Sequence, residues 1–200
     1  MVNIAGYQIL SQIHESKNSI VYRGYRESDN LPVVIKILRE DYPTPTQLTR
    51  YQQEYQLTHN LELEGIVQAY ELKTYQNTLV IIFEDFGGES LKIITQNQPL
   101  TLQQFLSIAI KICDALGNLH KANIIHKDID PANIVYSLTT KQLKIIDLGI
   151  STRLTQEVST LKNPDLLEGT LAYISPEQTG RVNRPIDSRS DLYSLGVTFY

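Results

Sequence analysis

The residues His126-Lys127-Asp128-Ile129-Asp130-Pro131-Ala132-Asn133 and the later triplet Asp147-Leu148-Gly149 carry the chain's most chemically suggestive spacing. Asp128 is a carboxylate able to accept a proton. Asn133 and Asp147 offer the hard oxygen donors that suit Mg²⁺. Transfer of a phosphoryl group from ATP needs such a set: one carboxylate for the acceptor's hydroxyl proton, and an amide oxygen and a second carboxylate for the metal. Taken singly, Asp and Asn in loops are turn formers. Their fixed spacing, between an apolar helix pattern and two short strands, argues for the chemical reading.

These residues need a framework, and 200 residues supply one domain or one split into two lobes. A chain of this length buries roughly 70% of its extended surface. A net charge of −4 and a pI near 5.6 give no reason to expect nucleic acid or an anionic membrane as partner. No apolar run approaches the ~20 residues of a membrane helix, and the N-terminus lacks the pattern of a signal peptide. The single cysteine, Cys113, excludes an internal disulfide, suits a reducing cytoplasm and is expected in a helix core. The last residues, Gly196 to Tyr200, lie inside an apolar helical stretch, so the chain reads as cut off.

Strands are expected over Tyr7–Ile13, Ile20–Arg26 and Val33–Leu38, where β-branched and aromatic residues concentrate. Pro43 and Pro45 break the chain, and Thr46 is the expected cap of a helix ending near Asn60. Strands over Ile66–Thr74 and Leu79–Phe83 follow, joined through Tyr75-Gln76-Asn77-Thr78. Thr101 should cap a long helix with the apolar stripe Leu102, Phe105, Leu106, Ala109, Ile112, Cys113, Leu116 and Leu119. Short strands are expected at Ile134–Tyr136 and Leu143–Ile146, a polar segment to about residue 175, and a helix from near Asp187. A strand-rich half with one helix is thus followed by a helix-rich half, with function expected in a cleft at their junction.

Ordered motifs across nearly the whole chain resemble the eukaryotic-type protein kinases of serine/threonine type. Val33-Val34-Ile35-Lys36 resembles their V-A-I-K strand, His126-Lys127-Asp128 their H-R-D, and Asp147-Leu148-Gly149 their D-F-G. The run from Gly169 to Glu177 resembles G-T-x-x-Y-x-A-P-E, and Asp191 to Gly196 resembles D-x-W-S-L-G. The resemblance implies an α+β, bilobal fold: a small lobe (1–84) with a five-stranded antiparallel sheet and one helix, and a mainly helical lobe (85–200) that ends in mid-helix. It implies ATP and Mg²⁺ as cofactors and a Ser or Thr hydroxyl of a protein as acceptor. Lys36 would hold the phosphates with Glu54 as its ion-pair partner. Asp128 would act as base, with Asn133 and Asp147 on the metal. Val21, Val34, Ser16, Ser19, Glu84, Phe86 and Val135 would line the nucleotide site, and His126 would brace its loop.

The chain also departs from the pattern. The phosphate-covering loop, His14-Glu15-Ser16-Lys17-Asn18-Ser19-Ile20-Val21, has no glycine, so a weaker grip on phosphate is expected. Asp130 stands where the family's serine/threonine members place a lysine that neutralises the γ-phosphate. At roughly 5 Å and an effective dielectric of about 20, one unit-charge pair is worth roughly 3 kcal/mol, so a reversed sign matters unless Lys127, Lys162 or Mg²⁺ compensates. Lys127 replaces an arginine and keeps its charge without its bidentate fork. Phosphorylation is conceivable at Ser159, Thr160 or Thr170. A bare apolar face is expected near Leu192, Leu195 and Phe199.

Three readings remain open at this level: a protein kinase in signal transduction, a pseudokinase acting as nucleotide-binding or scaffold module, and a small-molecule phosphotransferase. A weaker resemblance, through Asn77 to Leu91 and the His126 motif, is to the N-terminal kinase domain of large bacterial multi-sensor signalling proteins. It implies further signalling domains in the full-length protein.

Overall fold

β-Branched runs at the start of the chain fold into one antiparallel sheet. The computed structural model describes residues 2–40, 42–153, 169–182 and 184–200. Strands β1 (Tyr7–Glu15), β2 (Ser19–Arg26), β3 (Leu31–Leu38), β4 (Ala69–Tyr75) and β5 (Thr78–Glu84) are arranged in the order β1-β2-β3-β5-β4. They belong to a first compact unit formed by residues 1–62 and 67–87. Alternation sorts β3 into two faces. Val33, Ile35 and Ile37 pack with Val80 and Ile82 of β5 into an apolar core. Val34 and Lys36 point the other way, and Val21 of β2 lies directly across from Lys36.

Helix α1 (Pro45–Asn60) belongs to this unit and begins earlier than expected. Its cap is Thr44 rather than Thr46, because Thr44 and Gln47 satisfy each other's backbone amides in a capping box and Pro45 occupies the first turn. The β4–β5 connection is also tighter than expected: Tyr75 pairs with Thr78, leaving Gln76 at φ 51° and Asn77 as the turn.

The second unit comprises residues 63–66 and 88–200. Its long helix α3 (Leu102–Lys121), capped by Thr101 through a second capping box, follows a short α2 (Leu91–Asn97). The α3 core face is Ile108, Ile112, Ala115, Leu116 and Leu119. Ile112, Leu116 and Leu119 of the expected stripe lie on this face, and Phe105 and Ala109 are half-buried. Leu102, Leu106 and Cys113 are exposed, because a residue adjacent to Ile112 lies about 100° around the helix. Ile66, expected in the fourth strand, instead bridges to Ile145 in this unit. Gly65 beside it, at φ 83°, approaches so closely that an added Cβ would sit 2.4 Å from that of Ala115.

Three short strands, β6 (Glu89–Ser90), β8 (Ile134–Tyr136) and β9 (Leu143–Ile145), form a sheet in the order β6-β8-β9. Strand β7 (Ile124–Ile125) pairs with β10 (Thr152–Arg153). Helix α4 (Ser188–Phe199) starts at the Asp187 cap. Leu195 of α4 is buried, contrary to expectation, whereas Leu192 is exposed and Phe199 meets Phe105 edge-on at 5.4 Å. Among the described residues no helix is long and apolar enough to cross a membrane.

In α4 the side chain of Asp191 is fully buried, a costly place for a carboxylate without partners. Its Oδ1 accepts from the Lys127 amide at 2.7 Å, and its Oδ2 accepts from the His126 amide at 2.9 Å and lies 2.8 Å from His120 Nε2. Hydrogen bonds to a charged group contribute about 1.5–3 kcal/mol each. Asp191→Ala is therefore expected to lose about 3 kcal/mol or more of stability in urea unfolding. A loss below about 1 kcal/mol would refute this anchoring.

Candidate functional site

Lys36 shows what the first unit brings together. Its Nζ lies 2.7 and 2.9 Å from the two carboxylate oxygens of Glu54, on α1. The Glu54 side chain is only 3% exposed, and the Lys36 amine also sits 5.6 Å from the Tyr51 ring centre. A lysine so enclosed needs the carboxylate beside it. Val21 and Val34 share its sheet face, since Val21 pairs with Lys36 and Val34 precedes it by two residues. Glu84 closes β5: its amide bonds the Gln68 carbonyl and its Oε1 accepts the Gln68 amide at 2.7 Å. Phe86 follows it, half-buried.

The glycine-free loop between β1 and β2 is held by Ser16. The Ser16 hydroxyl oxygen accepts the amides of Asn18 at 3.2 Å and Ser19 at 3.0 Å, and lies 3.2 Å from the Ser19 hydroxyl. The Ser16 amide bonds the Ser19 carbonyl, and Arg39 binds the Ser16 carbonyl. A serine–threonine-type turn thus holds the hairpin without glycine. Backbone donors that would suit an anion are already engaged by a side chain.

In the second unit, Asp128 and Asn133 are in direct contact. Asn133 Nδ2 donates to Asp128 Oδ2 at 3.1 Å and to the Asp128 carbonyl at 2.9 Å. Asp147 is brought close by the β8–β9 ladder, which continues in a bond from the Ile146 amide to the Asn133 carbonyl at 3.0 Å. Val135 lies on the same ladder, opposite Lys144. His126 joins the two loops. Its Nδ1 receives the Asp128 amide at 3.2 Å, and its Nε2 lies 3.0 Å from the Ile146 carbonyl, which makes Nε2 the protonated nitrogen. Both loops contain a left-handed residue with a side chain, Lys127 at φ 72° and Asp147 at φ 65°. Such geometry costs on the order of 1–3 kcal/mol and persists only where surrounding contacts enforce it.

The Gly169–Thr170 segment sits against Asp128. The Thr170 amide donates to Asp128 Oδ1 at 2.7 Å. Gly169, at φ 108°, would place a Cβ 3.2 Å from the Lys127 carbonyl oxygen, so glycine permits this approach. Burial raises the pKa of Asp128, the amide and hydroxyl of Thr170 oppose that rise, and the carboxylate of Asp130 adds to it; the net direction is upward. Ser159, Thr160 and Lys162 lie outside the described residues.

Some contacts were not anticipated from sequence. Asp130 is 4% exposed and turned inward, where its Oδ1 accepts the amides of Ala132 at 2.7 Å and Asn133 at 3.0 Å. Gln178 donates to the Lys127 carbonyl at 2.8 Å, and the Lys92 amide holds the Pro131 carbonyl at 2.9 Å. Asp130 before Pro131 was a readable turn signal; the long-range partners had none.

A fit to Mg²⁺ rests on donor chemistry. Asn133 spends its Nδ2 on Asp128 and keeps its amide oxygen as a hard donor, and Asp147 supplies a carboxylate one residue beyond the Ile146 amide that bonds the Asn133 carbonyl. Mg²⁺ is commonly held by one or two protein oxygens together with phosphates and water. No cluster of three or more His, Cys, Asp or Glu side chains suited to a metal occurs among the described residues.

Comparison with known proteins gives a consistent answer. The protein kinase domain family matches residues 7–200. The chain is 33% identical over 198 residues to the serine/threonine-protein kinase PrkC of Bacillus subtilis, covering 97% of this chain and 30% of that protein. It is 32% identical over 204 residues to the serine/threonine-protein kinase PknB of Mycobacterium leprae, covering 99% and 31%. A probable serine/threonine-protein kinase of Clostridium perfringens is 32% identical over 198 residues, covering 97% and 28%. The chain spans less than a third of the length of these relatives. Its sheet order, its lysine–glutamate pair and its paired loops agree with that match, and the chain belongs to the protein kinase domain family.

Proposed function

We propose that this domain transfers the γ-phosphoryl group of ATP to Ser or Thr hydroxyls of proteins, as part of signal transduction in the cytoplasm. The observation that carries the reading is the contact of Asp128 with Asn133, on a loop joined by the Ile146 bond to the strand leading into Asp147. Protein kinases use ATP with Mg²⁺. In this chain Lys36, held by Glu54, takes the α- and β-phosphates, and Asn133 and Asp147 take Mg²⁺. When bound, the metal supplies charge neutralisation on the transferred phosphate. Asp128 orients the acceptor hydroxyl and accepts its proton. Lone pairs remain for this, because each of its oxygens receives one hydrogen bond from the Thr170 amide or from Asn133. Val21, Val34, Glu84, Phe86 and Val135 contact the adenine and ribose. The boundary assigned to the two lobes, residues 1–84 and 85–200, belongs to this reading, as do further signalling domains in the full-length protein.

The inactive-scaffold reading is favoured by one specific observation, the engagement of the Asn18 and Ser19 amides by Ser16. The two readings differ in outcome. With Mg-ATP labelled at the γ-phosphate, the protein should incorporate label, and EDTA or Asp128→Ala should reduce incorporation on the order of 10³-fold. Equal labelling by wild type and D128A would sink the kinase reading.

Ser16→Gly should release the two loop amides and lower KM for Mg-ATP, by about threefold to tenfold if one hydrogen bond to phosphate is gained. Steady-state kinetics check this, and an unchanged or higher KM counts against the assignment of the loop to phosphate. Lys36→Met should raise KM and lower kcat together, whereas Lys36→Arg should retain a partial fraction, since charge persists in altered geometry.

A further inference from the structure

Asp130 poses a chemical problem. A carboxylate two residues from the proposed base, in a site that must receive a polyanion, works against binding unless its charge is occupied elsewhere. Among the described residues it accepts three hydrogen bonds. Oδ1 receives the amides of Ala132 and Asn133, and Oδ2 receives the Thr170 hydroxyl at 2.7 Å. The same Thr170 places its amide on Asp128 Oδ1, and the same Asn133 places its side-chain amide on Asp128 Oδ2. Asp130 therefore reaches both oxygens of Asp128 indirectly, once through each neighbour.

We propose that Asp130 is a positioning residue, whose carboxylate clamps the Asn133 turn and the Thr170 hydroxyl together and so fixes the orientation of Asp128. This proposal rests on the kinase reading for its effect on rate, but the clamp itself is a statement about hydrogen bonds. Burial at 4% exposure explains why a charge can be used: donors to a charged acceptor are stronger than neutral pairs, and here three are supplied. A lysine at 130 could accept none of them. It would supply charge for phosphate and abolish the clamp. The position in this chain thus serves loop geometry in place of phosphate neutralisation. One corollary concerns modification. A phosphate on Thr170 would remove the hydroxyl hydrogen and set a dianion against Asp128 and Asp130, so modification there opposes activity.

The test measures clamp and rate separately. Hydrogen exchange of the Ala132 and Thr170 amides reads the clamp without any catalysis, and kcat and KM for Mg-ATP read its effect. In Asp130→Ala both amides should exchange at least about tenfold faster, and kcat should fall on the order of 10²-fold with KM for Mg-ATP changing less than about threefold. Asp130→Asn can accept the two amides through its oxygen and donate to the Thr170 oxygen, so it should retain protection and recover most of the lost rate. Thr170→Val should lose rate where Thr170→Ser does not. The double variant D130A/T170V should be no worse than D130A alone, because both break one clamp.

Asp130→Lys should be as impaired as D130A. If D130K matches or exceeds wild type, or if D130A leaves exchange or kcat unchanged, the proposal is overturned. Thermal melting identifies any variant that fails to fold, and T170V then carries the same test. Should wild type and D128A label equally while exchange still depends on Asp130, the kinase reading fails and the clamp stands.

Discussion

A buried carboxylate must find donors or lose its charge, and Asp191 meets that constraint with the backbone of the His126–Lys127 turn. Solvent does not reach it, and its two oxygens face the amides of both residues and the ring of His120. Those amides converge only if the chain turns sharply at Lys127, which sits at φ 72°. The strain of that turn, on the order of 1–3 kcal/mol, is opposed by two charge-assisted bonds of comparable size each. From this point the geometry spreads by short links. His126 passes it to Ile146 and hence to the backbone before Asp147, Gln178 holds the Lys127 carbonyl, and Asp130 closes the turn at Asn133. Each link is a polar contact to backbone. The site is therefore positioned by main-chain geometry, with side chains acting as its braces.

This arrangement decides which electrostatic effect prevails at Asp128. Burial and Asp130 raise its proton affinity, while Thr170 and His126 lower it. Burial is the largest influence, so the net shift is upward. For a group proposed to accept a hydroxyl proton the direction is useful, because a base of higher proton affinity drives that transfer more strongly while remaining ionised near neutral pH only if the rise is modest. The Thr170 contact thus has two consequences: it restrains the rise and it fixes the carboxylate's orientation.

Much of this was legible in the sequence, and the reasons differ by element. The five strands of the first unit were visible because β-branched residues run in blocks broken by turn residues, as in Val33 to Leu38. Thr101, following Pro99, marked the start of α3. Periodicity found the covered face of α3 at Ile112, Leu116 and Leu119 but missed at its first turns, where only packing shows that Ile108, not Leu102 or Leu106, is covered. Helix α2 and the two-residue strands were too short for any periodic signal to develop. At the site, residue types and spacing drew attention to Asp128, Asn133 and Asp147, and the fold joins their loops. The inward turn of Asp130 could not be read, since its Thr170 partner is 40 residues away.

Two of the departures from the family pattern share one physical explanation. At Ser16 a hydroxyl holds the amides that a glycine-rich loop would leave open, and at Asp130 a carboxylate holds the amides and hydroxyl of its own loops. In both places, groups that could face a phosphate are satisfied internally, so the loops are ordered before any ligand arrives. Preorganisation of this kind lowers the entropic cost of binding but gives up donors to the ligand. Under the kinase reading, the remaining attraction for a nucleotide's charge must come from few sources, chiefly Lys36 in its pairing with Glu54 and a magnesium ion on Asn133 and Asp147. Under that reading affinity as well as chemistry depends on metal, because the Ser16 loop offers no glycine-rich backbone cradle. The reversed charge at 130 is, under that reading, compatible with phosphoryl transfer, since that carboxylate is already engaged by the Ala132 and Asn133 amides and the Thr170 hydroxyl.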